Sequence, residues 1–104
     1  MTVVSLTTMR LKPGVSWDEA QKHIKRGNDL CRKHGGENVT LMAGMAAGEA
    51  TGMLCLLYTA PDWASFGQVQ DRIMADPEMV AVMTDPNSPV SGWQTYLNQT
   101  IPDV

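Results

Sequence analysis

Residues 53–59, MLCLLYT, constrain this chain more than any other stretch. The run is apolar at nearly every position and is bracketed by Gly52 and Pro61. It is too short for a buried helix and too uniformly apolar for a strand with one wet face. A β-strand covered on both sides fits it best. Any fold for this chain must therefore supply two covering layers for one strand.

The remaining elements follow from their punctuation. Residues 2–11, TVVSLTTMRL, are rich in β-branched residues and read as a first strand closed by Lys-Pro-Gly. Ser16 and Glu19 form a capping-box pattern, in which Ser16 accepts from the Glu19 N–H while the Glu19 side chain reaches back. The helix that starts there runs to about His34 and stops at Gly35-Gly36. Its inward stripe reads as Trp17, Ala20, Ile24, Gly27 and Cys31. Residues 37–45 alternate as a strand, with Val39, Leu41, Ala43 and Met45 on one face. Asp62 caps a second helix whose stripe is Trp63, Phe66, Val69, Ile73 and Met74, and Asp76-Pro77 restarts a short one. Residues 84–92, TDPNSPVSG, read as loop, and residues 93–101 as the last strand.

Between the middle strands, AGMAAGEATG (43–52) spaces Gly44, Gly48 and Gly52 four residues apart. A phosphate-binding loop would need a following Lys-Ser/Thr or a helix, and neither is there. A membrane span would bury Glu49 near its centre, at a cost of about 2.5–3.5 kcal/mol that its few leucines and valine barely offset. A hairpin is left, with Gly48 and Gly52 at positive φ and Gly44 at a bulge or close approach.

The order β-α-β-β-α-β predicts one domain over 1–104, an α+β ferredoxin-like fold with a four-stranded antiparallel sheet and two helices on one face. Nothing in the chain is left to cover the other face. A second copy does, which predicts a homodimer packed sheet against sheet.

Composition narrows the function classes. Net charge is −3, and residues 1–34 hold seven of the eight Lys and Arg, mostly on one helix face (Lys22, Lys25, Arg26, Arg32, Lys33). The acidic balance excludes nucleic acid as the expected partner. The basic face reads as solvated surface; an anionic ligand there would need further basic residues that the sequence does not place. Cys31 and Cys55 fit neither a disulfide scaffold nor a zinc site and read as reduced and buried. Eight methionines suit a soft core or an adaptable pocket. No signal-peptide pattern precedes the first strand, so the expected location is cytoplasmic, with no membrane partner.

The run GMAAGEATGMLCLLYTAPDWASFGQVQDRIMADPEMVAVM resembles small bacterial proteins of the dimeric α+β barrel superfamily, in particular the NIPSNAP-like branch. The resemblance rests on the glycine-bearing hairpin, the Asp-Trp-x-Ser-Phe helix start and Ala-Asp-Pro-Glu-Met. It implies a ligand cleft between sheet and helices. It also implies relatives that include cofactor-free quinol monooxygenases, haem-degrading monooxygenases, lactone isomerases and polyketide cyclases. The haem degraders carry an Asn, Trp and His constellation, but this first strand offers Ser5, Thr7 and Thr8, and the second helix has no His. The helix histidine of the quinol monooxygenases is missing as well.

His23 and His34 are eleven residues apart, roughly 16 Å along a helix, so one metal ion cannot use both. His34 suits the helix C-terminus as a cation. His23 flanks the inward stripe and is the candidate base. Gln70 falls inside the apolar stripe of the second helix, where its amide needs a backbone group, a symmetry mate or a ligand. Gly27 leaves room for close packing or for a ligand. Trp17, Tyr58, Trp63, Trp93 and Tyr96 are the aromatic candidates, of which Tyr58 and Trp63 join Gly27 and Gln70 as expected pocket lining. No metal, nucleotide or flavin motif is present, and no cofactor is expected. The expected protein is a small homodimer with a modest helix-side pocket for a small apolar or aromatic ligand. It is then either a cofactor-free monooxygenase, isomerase or cyclase, or a non-enzymatic ligand carrier or protein-interaction dimer.

Overall fold

The computed structural model describes residues 1–45 and 52–102. The elements are β1 (Val3–Leu11), α1 (Trp17–Lys33), β2 (Glu37–Ala43), β3 (Leu54–Ala60), α2 (Trp63–Ala75), α3 (Pro77–Thr84) and β4 (Val90–Gln99). The four strands make one antiparallel sheet in the order β2-β3-β1-β4. This is the ferredoxin-like arrangement that the element order implies. The extra turn expected after α2 is an eight-residue helix, α3.

Pairing divides the sheet into two faces. Val3, Ser5, Thr7 and Met9 of β1 lie opposite Ala60, Tyr58, Leu56 and Leu54 of β3, and these residues face the helices. Against them pack two apolar clusters. One joins Val3, Tyr58 and Ala60 to Leu30, Cys31, Phe66, Val69, Ile73, Met79 and Val82. The other joins Met9 and Leu54 to Ala20 and Ile24, flanked by Leu11, Val15, Leu41, Leu56 and Val90. Leu54 and Val3 are fully buried, each contributing about 1.5–3 kcal/mol through the apolar surface withdrawn from water.

The opposite face carries Leu6, Thr8, Cys55, Leu57, Met42 and Tyr96. No helix covers it, and a concave cavity of ≈ 820 Å³ lies along it, lined by residues that include Leu6, Thr8, Met53, Gln94 and Tyr96. The second layer required by residues 53–59 is thus not supplied by the described residues.

Local signals account for most element ends. Ser16 accepts from the Glu19 N–H, Asp62 from Ser65 and Asp76 from Glu78. Gly35 takes φ +100° just beyond α1, and Gly52 takes φ +82° in the hairpin. Gly44 closes that hairpin, donating to Met53 O and accepting from the Gly52 N–H. Gly48 and Glu49 lie outside the described residues.

Several expectations need correction. The reciprocal half of the capping box is missing, since no hydrogen bond from the Glu19 side chain to Ser16 forms among the described residues. Residues 90–92 belong to β4, not to a loop: Val90 pairs with Leu11 and Gly92 with Arg10 across a register shift. There the Ser91 hydroxyl donates to Arg10 O. Pairing with a neighbouring strand overrides the turn propensity of Ser-Gly. The helix stripes are also displaced. Trp17, Trp63 and Met74 are exposed, while Asn28 and Leu30 are buried on α1. Both tryptophans are the first residues of their helices, at the exposed helix starts.

Candidate functional site

The two apolar clusters leave a polar layer between them. Ser5 falls on β1 between Val3 of one cluster and Met9 of the other. Asn28 falls on α1 between Ile24 of one and Leu30 and Cys31 of the other. Both are buried, with 4% and 5% of their surface exposed. The Asn28 Oδ1 has no hydrogen-bond partner among the described residues. A buried carbonyl in that condition forfeits about 1–3 kcal/mol unless something donates to it. Next to it on the helix, a Cβ placed on Gly27 would meet no atom within 4 Å. Gly27 is therefore not there for close packing against the sheet; it borders open space.

Tyr58 and Gln70 are brought together. The Tyr58 hydroxyl donates to Gln70 Oε1 at 2.8 Å, and the phenol ring stacks on Phe66 with centroids 5.8 Å apart. Gln70 thus finds a side-chain partner, Tyr58, rather than a backbone group, a symmetry mate or a ligand. Burial pushes the Tyr58 phenol up to about 12; the neighbouring Cys31 adds to this, and a hydrogen bond with Ser5 opposes it. Tyr58 is therefore a neutral donor and cannot serve as a base at neutral pH.

On the far side of β1, the helix-facing residues of β4 are uncovered. Trp93 and Leu97 are 51% and 49% exposed. Between them Thr95 Oγ1 lies 2.9 Å from Thr7 Oγ1. Trp63, at the start of α2, reaches β4 by donating from Nε1 to Gln99 Oε1 at 2.9 Å, and it meets Phe66 edge to face. The helix-facing side of β4 is thus largely exposed, with α2 joined to it at Gln99. Tyr96 is on the opposite sheet face.

His23 stands elsewhere, in a groove of ≈ 560 Å³ between α1 and residues 86–89. Its Nε2 lies 3.2 Å from Ser88 Oγ, which also accepts from the Val90 N–H. Burial lowers its pKa, opposed by Asp85 and reinforced by Arg26. It is thus a neutral imidazole near pH 7, but none of Gly27, Tyr58, Trp63 or Gln70 lines its groove. His34 is structural: its Nε2 lies 2.7 Å from Asp76 Oδ2, at the junction of α2 and α3. Cys31 and Cys55 are free and buried, and burial pushes the Cys31 thiol up. Among the described residues, no three His, Cys, Asp or Glu side chains form a metal-holding group, and no helix is long and apolar enough to cross a membrane.

Sequence reasoning missed Asn28, because it sits beside rather than on the expected apolar stripe. Its one signal was a polar residue four positions after Ile24 and three before Cys31, at inward spacing.

An antiparallel sheet in this order, with the described helices on one face, defines a ferredoxin-like α+β protein. It is the fold of NIPSNAP-like and DABB-family proteins. The chain is similar to an uncharacterized NIPSNAP-like domain protein from Burkholderia xenovorans, with TM-score 0.75, 15% identity, and coverage of 99% of this chain and 88% of that one. It is also similar to a dimeric ferredoxin-like protein of unknown function from Thermobifida fusca, with TM-score 0.66, 13% identity, and coverage of 96% and 92%. A third similar structure is SnoaB, a cofactor-independent oxygenase from Streptomyces nogalater, with TM-score 0.68, 14% identity, and coverage of 98% of each chain. No protein-family model and no curated protein matches the chain.

Proposed function

We propose that the protein is a homodimeric small-molecule binder, in which each copy holds an apolar or aromatic ligand between its helices and sheet. The observation that carries this reading is the buried Asn28 carbonyl with no partner, beside the open space at Gly27. An acceptor in that position calls for a ligand with one O–H or N–H donor, such as a phenol or hydroxylated ring. The apolar clusters on either side suit the rest of such a molecule. The uncovered sheet face, apolar at Leu6, Leu57 and Met42, supports closure by a second copy, and the similar Thermobifida fusca protein is described as dimeric.

A catalytic reading, as a cofactor-free monooxygenase, isomerase or cyclase, is favoured by the fold shared with SnoaB. His23 lies outside the Asn28 layer, so in that reading it acts only on a ligand that extends into its groove. The carrier reading needs no such extension and is preferred.

The test is a thermal-shift screen of phenols and quinol-like compounds on the wild type and on Asn28→Leu. Ligands should raise the wild-type Tm and fail on the variant, while the variant itself melts no lower than wild type because a thwarted carbonyl has been removed. No hit on wild type, or a variant that binds as well, overturns the pocket. Asn28→Leu melting well below wild type would show that the carbonyl is satisfied in solution, for instance by a trapped water. Light scattering at micromolar concentration should give twice the chain mass of 11.4 kDa.

A further inference from the structure

We propose that the groove between α1 and residues 86–89 binds the anionic head group, carboxylate or phosphate, of a small molecule. The sequence places basic residues on one face of α1 but supplies nothing to meet them. The fold does: Lys12, at the end of β1, is brought to the same groove as Lys22, His23 and Arg26. Lys22 and Arg26 are four residues apart on one helix face, so their charges repel unless an anion lies between them. Neither makes an ion pair with a described residue. Their neighbours on the same helix are all engaged: Lys25 and Arg32 hold Asp29, and Lys33 reaches Asp76. Glu19 in the lining and Asp85 near His23 offset part of the positive charge. Lys12, Lys22 and Arg26 still outnumber them, in a chain whose net charge is −3.

The far wall is preformed. Pro86 and Pro89 fix their own φ angles. The Asn87 N–H donates to Asp85 Oδ1 and the Ser88 N–H to Asp85 O, while the Lys12 N–H donates to Pro89 O at 2.8 Å. The Lys12 ammonium is turned toward the same loop, 3.5 Å from Pro86 O. A wall held this way needs little ordering when a ligand arrives. At ≈ 560 Å³ the groove is of small-ligand size. Three cations in one recess fit a single anionic group rather than a polyanion backbone. The proposal is independent of the Asn28 pocket, and the two can fail separately.

The experiment is an NMR amide titration with inorganic phosphate, phenyl phosphate and acetate at low ionic strength. It uses the wild type, Lys22→Gln/Arg26→Gln, and a control with the same charge change, Lys25→Gln/Lys33→Gln. Saturable shifts are expected at Lys12, His23 and Ser88, weakened about ten-fold or more in the groove variant and little changed in the control. Whichever probe saturates first separates phosphate from carboxylate recognition. Shifts that never saturate, or that fall equally in both variants, would show a diffuse charge effect and overturn the site.

Discussion

Replacing Gly27 by alanine tests the description of α1 directly. Gly27 lies in the interior of a 17-residue helix and has no positive φ. A methyl there would meet no atom within 4 Å, so there is no steric cost to set against the gain in helix propensity. That gain is about 0.8–1.0 kcal/mol for Gly to Ala in a helix interior. In a domain of about this size it corresponds to a rise in Tm of roughly 4–8 °C. Gly67 in α2 has equally open surroundings and serves as the parallel case, with a similar gain expected from Gly67→Ala. The two should diverge in binding. Gly27→Ala places its methyl in the space next to Asn28 and should weaken a bound phenol, whereas Gly67→Ala should not. Differential scanning calorimetry with and without ligand reads both effects. A Gly27→Ala protein that melts at or below the wild-type temperature would refute the open space beside Asn28, and with it the shape proposed for the pocket.

Other outcomes follow from the same contacts. Tyr58→Phe should cost about 1–3 kcal/mol by stranding Gln70 Oε1, and Tyr58→Phe/Gln70→Leu should cost less than the two single changes summed, as urea unfolding would measure. The Asp76 carboxyl is held below its usual range, chiefly by the hydrogen bond with His34 and then by the Glu78 N–H. Its stabilisation is therefore present above the unfolded-state pKa near 3.8 and is lost as pH falls through the lower folded value. Asp76→Asn should accordingly melt below wild type at pH 6, with the gap closing toward pH 2 in thermal scans. Leu57→Asp, on the uncovered sheet face, should shift the light-scattering mass from the dimer to 11.4 kDa, and an unchanged dimer would place the interface elsewhere.

The fold was legible where a residue's chemistry acts within a few positions of the chain. Ser16, Asp62 and Asp76 cap because their oxygens reach N–H groups two or three residues on, and Gly35 and Gly52 take conformations other residues avoid. The site was less legible because it depends on partners distant in sequence. Gln70 announced itself as a buried amide, but its partner is twelve residues away on a strand. Asn28 is hidden because it lies just off the stripe a helical wheel shows, and the wheel does not say which position falls between two clusters. His23 flanks the inward stripe on a helical wheel, which says nothing of what packs against it. Its groove exists only because residues 86–89 fold back against α1, which no local pattern in that proline-rich stretch records.

The Asp76 carboxylate ends α2, starts α3 and holds His34 and Lys33 at the end of α1. One side chain thus rivets three helices at a single corner of the layer. Trp63 lies at the other end of α2 from that corner. There one hydrogen bond, from Trp63 to Gln99, ties the helical layer to β4. Exchange at the Trp63 indole N–H therefore reports whether that end of α2 stays on the sheet.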